Sequence, residues 1–434
     1  MSAVWRPLPI MHIPNRYTAR WLKPLGLLAV TLLVAACGAD KDKRAQIRLL
    51  NASPELASAE LVIDKDKLAG PVSALTLSAY ARRGDGTASL QVRNSSGGAT
   101  VATSPATLKA DAHYTLIAYG AGGAMRTSLV EEEQAEPASG QSKLMVLNLA
   151  PDAGPVDVFL TDANAALASA QPFASNVAPG QGSGFLARDS GSYRLRVTGA
   201  GKRDDVRLDL AAVTLDSAKV STLVLRGSAG GVLVHALKLP QRGELSRMDN
   251  GSARVRVVAA ISAGRIDASI AGQSLLENSR SPAIGPYRTV PAGTQVPSIT
   301  VDGIAVAPTL PSLVAGGDYT LLLRGTAAAP VMQALVDDNR LPTVSGQARL
   351  NLVNGLDLPA SLNFNYSPVT QAIGPGGTGS ANVAATNAAL VSVTSSQFSD
   401  PLYTQRDLAV SAEGVYSLFL VNADSPQGIV RRER

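Results

Sequence analysis

Ile47-Arg48-Leu49-Leu50-Asn51-Ala52-Ser53-Pro54 is the stretch on which the fold turns. A short apolar run ends at an asparagine and a Ser-Pro, which reads as a strand followed by a turn. The chain goes on to Glu60-Leu61-Val62, and then repeats itself. Leu144-Met145-Val146-Leu147-Asn148 leads through Ala150-Pro151-Asp152 to Val156-Asp157-Val158. A third copy opens at Val255-Arg256-Val257-Val258 and reaches Ile266-Asp267; a fourth opens at Leu350-Asn351-Leu352-Val353-Asn354 and reaches Leu362-Asn363-Phe364. The last two lack the Ser-Pro or Ala-Pro element. Recurrence of one order of features marks a chain built from one supersecondary unit used several times.

The far end of each unit recurs as well. His113-Tyr114-Thr115-Leu116-Ile117 matches Asp318-Tyr319-Thr320-Leu321-Leu322 and Val415-Tyr416-Ser417-Leu418-Phe419. The second copy has Val220-Ser221-Thr222-Leu223-Val224, with serine in place of tyrosine. An apolar residue precedes each at the same distance: Leu108, Leu215, Leu313 and Val410. Inside a unit, segments such as Ser89-Leu90-Gln91-Val92-Arg93 and Tyr193-Arg194-Leu195-Arg196-Val197 alternate, so one face is buried and one is wet. Gly84-Asp85-Gly86, Asp189-Ser190-Gly191 and Pro291-Ala292-Gly293 supply turns, read as hairpins. About seven strands in about 95 residues indicate an antiparallel β-sandwich.

The expected fold is therefore all-β, with four tandem Ig-like or fibronectin-like sandwiches at residues 46–134, 143–242, 253–340 and 347–434. Short joints suggest a semi-extended string with limited contact between domains. An apolar residue ahead of a strand-opening tyrosine resembles the tyrosine corner of such sandwiches, with Tyr114, Tyr319 and Tyr416 as candidates. There the hydroxyl bonds backbone slightly upstream. The alternative is that they are half-buried strand tyrosines; either role is architectural.

The run Arg48-Leu49-Leu50-Asn51-Ala52-Ser53-Pro54, the later Val156-Asp157-Val158, the turn Ala292-Gly293-Thr294 and the Tyr-Thr strand late in each unit resemble the bacterial domain of unknown function numbered 4397. The linker Asp337-Asp338-Asn339-Arg340-Leu341-Pro342, followed by Gly346-Gln347-Ala348-Arg349, looks like a joint between tandem copies. The resemblance covers most of residues 46–434 and is strongest in the first two copies. It implies an envelope or secreted protein of Ig-like repeats, and no catalytic residues.

Ahead of the repeats, Arg16, Arg20 and Lys23 precede the apolar run Leu25 to Val34. A basic segment, a short apolar one and small residues at a cut site make a secretory signal. The run is too short for a membrane-spanning helix, which needs about 20 apolar residues. Val34-Ala35-Ala36-Cys37 resembles a bacterial lipobox, and Cys37 is the chain's single cysteine. The resemblance implies a signal peptide over 1–36, lipid on Cys37, and a tether over 37–45. Gly38 in place of an aspartate implies the outer membrane, facing the periplasm or the surface. Several acyl chains on one residue anchor stably, whereas one would be marginal. The tether reaches roughly 30 Å at about 3.3–3.6 Å per residue.

Composition then excludes several classes. The formal charge of +5 is mostly the leader's, because Arg6, Arg16, Arg20 and Lys23 have no acidic counterpart there. Without them charge is nearly balanced, and no basic stripe argues for nucleic acid. Both tryptophans, Trp5 and Trp21, lie in the leader too. A sugar platform would have to use tyrosines such as Tyr80, Tyr287 and Tyr403. The histidines outside the leader, His113 and His235, fall in different repeats on strand-like runs, so no nucleophile–base pairing is legible. No clustered Cys and His suggest zinc, and no cofactor is called for. Gly374-Pro375-Gly376-Gly377-Thr378-Gly379 fits a dinucleotide fingerprint by spacing only; without a helix after it, it reads as a flexible loop. Arg83-Gly84-Asp85 reads as a turn before it reads as an integrin tripeptide. Glu131-Glu132-Glu133, Asp204-Asp205 and Asp337-Asp338 are candidate contributors to Ca²⁺ sites at the domain joints; because no loop shows the six to eight oxygens that Ca²⁺ takes, they read first as solvated linkers or turns.

These readings converge on a non-catalytic, lipid-anchored envelope protein, a structural scaffold or binding rod. The alternative is a carbohydrate- or polymer-binding or adhesion module; an envelope hydrolase is the remaining one. The membrane, through Cys37, is the first partner, and an envelope protein or polysaccharide the second.

Overall fold

The computed structural model describes residues 44–121, 123–307, 309–422 and 424–434. Cys37 lies outside them. From Lys43 to Arg434 the chain forms one compact unit.

The fold is all-β. Among the described residues, eight sheets pair face to face into four sandwiches. In the first, strand Arg44–Asn51 is central to its sheet. It runs parallel to His113–Tyr119 and antiparallel to Thr76–Leu77 and Ala81–Gly84. Arg126–Glu131 closes the other edge against His113–Tyr119. The second sheet is wholly antiparallel, in the order Asp66–Ser73, Ser58–Ile63, Gly86–Asn94, Thr100–Leu108. The same plan recurs: Gln141–Leu149 lies parallel to Lys219–Gly227, Ser252–Ala259 to Asp318–Gly325, and Gln347–Asn354 to Val415–Val421. One parallel pair per sandwich is thus built from the two most strongly repeated sequence runs.

The expected hairpin turns do a different job. Gly84-Asp85-Gly86 joins a strand of the first sheet to one of the second, and Asp189-Ser190-Gly191 does the same in the second sandwich. Gly86 takes φ 104° at this crossing, a backbone region open mainly to glycine.

Each sandwich has its own core. In the first, Ile47 and Leu49 face Leu61, Ile63, Leu90 and Val92. Neighbouring residues on the same strand point the other way, and they are buried too. Leu50, Ile117, Tyr119 and Val130 pack against Leu147, Leu149, Val224 and Leu237 of the second sandwich. Val258, Leu322 and Leu335 of the third pack likewise on Val353, Phe419 and Val421 of the fourth. A strand covered on both faces reads as an apolar run rather than an alternation. At roughly 1.5–3 kcal/mol per large buried side chain, such a joint is far too strong to flex freely.

This corrects the picture of a rod or loosely jointed string. The sandwiches form two locked pairs, and the pairs touch. Gly230 N–H donates to Gly316 O at 2.9 Å, and Leu341 N–H donates to Asp152 Oδ1 at 2.7 Å.

The recurring asparagines explain how the first strand ends in three of the four sandwiches. Asn51, Asn148 and Asn354 are fully buried. Asn51 Nδ2 donates to Leu56 O at 2.7 Å, and its Oδ1 accepts Ser53 N–H. Asn148 donates to Gly154 O and Val177 O at 3.0 and 2.9 Å, and Asn354 to Leu358 O and Ile373 O at 2.8 and 3.0 Å. Each side chain takes carbonyls that the sheet leaves orphaned, a role that buried backbone demands. The third sandwich has Ala259 at this position; there Ser281 Oγ donates to Ile261 O at 2.7 Å instead.

Candidate functional site

Two kinds of polar construction stand out: a buried cluster at the joint of each pair, and an open groove where sandwiches one, two and four meet.

In the first pair, Arg48 sits between the two sandwiches with its side chain 5% exposed. Its Nη2 makes a forked contact with Glu132 at 3.0 Å, and its Nε donates to Thr115 Oγ1 at 2.9 Å. Its Nη1 donates to Gly243 O of the second sandwich at 2.8 Å. Tyr80 lays its ring 4.6 Å from the guanidinium and donates its hydroxyl to Glu132 at 2.7 Å. In the second pair, Arg256 takes the same place. It reaches Thr320 Oγ1 at 2.8 Å, Asp337 at 3.8 Å and, across the joint, Glu433 at 2.6 Å. It lies 4.3 Å from the ring of Tyr287 and 4.7 Å from that of Phe419. Tyr287 donates to Asp337 at 2.7 Å. Burial pushes the Asp337 carboxyl up to about 6, against the pull of Arg256. Cation–π contacts and buried ion pairs make these clusters pins for the joints.

Tyr80 and Tyr287 are therefore not sugar platforms. Their rings are spent on buried arginines. Tyr403 donates its hydroxyl to Gln405 at 2.7 Å, and its ring backs onto Gly428. A tyrosine that is exposed, Tyr366 at 81%, drew no notice in the sequence because no repeat marks it.

The groove has a volume of about 530 Å³, within the range of small-ligand sites. Tyr119 and Arg126 of sandwich one, Pro151 and Asp152 of sandwich two, the linker Arg340 to Thr343, and Asn382 and Glu413 of sandwich four line it. A second cavity, about 270 Å³, shares Tyr119 and the Pro151-Asp152 wall and runs to Pro54 and Glu55. The repeated Ala-Ser-Pro-Glu and Ala-Pro-Asp motifs thus help to line this region. Arg340 is committed, donating to Asp338 and to Glu55 Oε1 at 2.6 Å. Arg349 Nη1 lies 2.6 Å from Asp338, close enough for an ion pair although not aligned for a hydrogen bond. Asp152 has only the Leu341 amide on Oδ1; burial raises its pKa despite nearby Arg434 and Arg340.

The other sequence candidates take structural places. The Tyr114 hydroxyl accepts Lys109 N–H at 3.0 Å, Tyr319 accepts Val314 N–H at 2.8 Å, and Tyr416 accepts Ser411 N–H at 2.9 Å. Arg83 pairs with Asp64, which also accepts Ser89 N–H. The Gly374–Gly379 segment is not a loose loop: Gly376 N–H donates to Asn354 O and Asn354 N–H to Gly377 O, each at 2.9 Å, and strand Thr378–Ala384 follows. The acidic runs meet basic side chains, as with Lys109–Glu131, Arg242–Glu133 and Arg207–Asp205. No group of three or more potential metal ligands occurs among the described residues.

Serine, histidine and aspartate converge at one place, without catalytic geometry. Ser228 and His235 both stand against Gly316, where any side chain would strike them. Asp249 Oδ1 is 3.4 Å from His235 Nδ1. That nitrogen accepts the Asn250 amide at 3.1 Å, so the ring proton sits on Nε2, which then cannot act as a base. Burial, with Arg226 nearby, pushes the ring down to about 4. His113, on the first pair's edge, binds Glu133 at 2.9 Å and Gln46 at 2.8 Å, with no nucleophile among its bonded partners.

Fold and site together define a tandem β-sandwich protein with an interdomain groove and no assembled nucleophile–base pair at these positions. The family model for the domain of unknown function DUF4397 matches residues 45–159 and 253–363, more than half of the chain, and the protein belongs to that family. Each match starts at the first strand of a pair and runs into the partner sandwich. None of the curated proteins matches the chain. Among solved structures, it is similar to a family 26 carbohydrate-binding module from Eubacterium rectale Amy13K, crystallised with maltoheptaose. Identity is 16%, over 42% of this chain and 92% of that one, with a TM-score of 0.17. It is also similar to the Bacillus anthracis TIE protein (10% identity, 84% of this chain and 66% of that one, TM-score 0.14). A third is the Bacteroides ovatus SGBP-B protein of a mixed-linkage glucan utilization locus, in complex with a heptasaccharide. There identity is 10%, over 78% and 86%, with a TM-score of 0.11. Scores this low assign no ligand or activity to this chain.

Proposed function

We propose that this protein is a non-catalytic binding scaffold of the bacterial cell envelope, held on the outer membrane by lipid on Cys37. The observation that carries the binding role is the groove. It is concave, mixed in polarity, and built from the locked first pair, sandwich four and the linker that precedes it. Preorganised concavity of this kind lowers the ordering cost of binding. An envelope polysaccharide or protein is the partner class.

Two experiments test the reading. Wild type labelled with palmitate should sediment with outer membrane, and Cys37→Ala should do neither; a soluble, unlabelled wild type overturns the anchor. For the groove, Ala124→Trp fills the cleft from a half-buried position in the turn between Tyr119 and Arg126. On arrays of envelope glycans and proteins, wild type should bind and Ala124→Trp should not. Equal binding by both proteins, or by neither, removes the groove from the account.

A further inference from the structure

The corner that the first pair contributes to the groove carries polar groups that the same corner of the second pair lacks. Tyr119 and Arg126 stand directly opposite each other at the end of their hairpin. Opposed residues on an antiparallel pair share one face, with Cβ atoms about 4.5–5.5 Å apart. That face looks toward the second sandwich, where Tyr119 packs in the joint. The tyrosine hydroxyl has no hydrogen-bond partner among the described residues, and Arg126 no carboxylate. Burial raises the Tyr119 pKa, and the positive charge of Arg126 across the hairpin opposes the rise. Asp152 closes the third side with Oδ2 unengaged.

In the second pair, strand register places Arg324 and Val331 where Tyr119 and Arg126 stand. Counting from the buried asparagines, Leu358 stands for Asp152, and Asp357 for Pro151. Arg324 binds Asp357 at 2.6 Å and shuts that corner. The unbonded hydroxyl, the unpaired guanidinium and the half-engaged carboxylate are therefore peculiar to the open corner, and are not a by-product of the repeat.

Those three groups select a ligand. A guanidinium with a neighbouring phenol donates to a carboxylate. A half-buried carboxylate with a free oxygen accepts from hydroxyls. The walls between them include the rings of Pro151, Pro155, Pro179 and Pro342, flat apolar surfaces without an aromatic platform. Resting on the reading of the groove as the binding site, we infer that it takes a uronic acid-bearing polysaccharide, the sugar carboxylate on Arg126 and Tyr119 and ring hydroxyls on Asp152. The volume suits a few sugar rings, and the adjoining cavity lets a longer chain continue.

The test is calorimetric titration of the full chain in detergent, at fixed low salt, with oligogalacturonate, galacturonic acid and a neutral galacto-oligosaccharide of equal length. The oligomer should bind, the neutral counterpart about tenfold more weakly or worse, as loss of one charge-assisted contact requires. The monomer should bind more weakly than the oligomer if a polymer is the natural source; equal affinity overturns the polymer. Arg126→Gln and Asp152→Asn should each lose roughly tenfold. Arg126 is exposed, so its melting temperature should not move. Arg82→Gln removes an exposed cation outside the groove and should change nothing. Equal binding of acidic and neutral sugars, or equal loss in Arg126→Gln and Arg82→Gln, overturns the uronate assignment while the groove reading stands. Failure of every saccharide, with the arrays still distinguishing Ala124→Trp from wild type, overturns the sugar and keeps the groove. Silence in both overturns the two together.

Discussion

The two sandwich pairs are built alike and finished differently. In the first, the pin across the joint is one arginine, one carboxylate and backbone: Arg48 holds Glu132 and Gly243 O, and Arg242 N–H donates to Glu132 at 2.5 Å. In the second, Arg256 holds two carboxylates, Asp337 and Glu433, between two aromatic rings. Beside the pin, Gln46 and His113 of the first pair stand where Arg254 and Asp318 form an ion pair in the second. The corner follows the same trend, open in the first pair and salt-bridged in the second. The second pair has put charge into closing itself; the first has left charge unpaired at a groove. On the proposed reading, that asymmetry gives structure to one and recognition to the other.

Removing the pins gives the largest contrast. Arg256→Met strands two buried carboxylates, and breaking a buried ion pair this way costs about 3–5 kcal/mol. Arg48→Met should cost less, roughly 1–3 kcal/mol, because Glu132 keeps the Tyr80 and Thr115 hydroxyls and the Arg242 amide. Urea denaturation of the two variants measures this. Equal losses would break the comparison at its centre.

Acid should move the pairs in opposite directions. Asp337 has a folded pKa of about 6 against an ordinary 3.8, so its charge costs stability above pH 6 and the cost is relieved as pH falls toward 4. The gain is up to about 3 kcal/mol for the second pair. His235 is the reverse: held neutral down to about 4 against an ordinary 6.5, it contributes stability above pH 6.5 that is lost as pH falls toward 4. That loss, again about 3 kcal/mol at most, falls on the second sandwich, in the first pair. Melting curves from pH 4 to 7.5 should show Asp337→Asn losing the acid gain. His235→Asn, which keeps an acceptor for Asn250 N–H, should lose the acid penalty. A wild-type pH slope in either variant contradicts its assignment.

Much of this architecture is written locally. The run at Ile47 to Pro54 announces a strand and turn, and its returns announce the sandwiches, because strand pattern and turn chemistry are short-range. The locked pairing was legible in principle: Arg48-Leu49-Leu50 has no wet face, which a two-sided strand explains and an alternating one does not. What hid it was a single arginine, which looks like an exposed position until its partners are known. Asn51, Asn148 and Asn354 were visible as repeat marks, but their work on distant carbonyls such as Val177 O is a matter of three-dimensional closure. The groove was not legible at all. Tyr119, Arg126 and Asp152 come from two repeats, the linker of Arg340 comes from beyond a third, and no spacing ties them.

The smaller effects test how local each device is. Tyr114→Phe, Tyr319→Phe and Tyr416→Phe each leave one backbone N–H without its acceptor, at a cost of about 1 kcal/mol. The first pair has one such bond and the second has two, so the double variant Tyr319→Phe with Tyr416→Phe should lose about twice what Tyr114→Phe loses. An unchanged melting curve in Tyr114→Phe would show that the bond there does not stabilise the fold. Smallest of all is the seal. Arg324 is 21% exposed and Asp357 55%, so their ion pair is screened, and a double-mutant cycle should return less than about 1 kcal/mol. Arg324→Leu should therefore leave the second pair folded but its corner open. It should still bind no acidic sugar there, since Val331 and Leu358 offer neither the cation nor the acceptor of the first pair. Coupling well above that figure would mean the salt bridge holds the second pair together, and closure would be its by-product rather than its purpose.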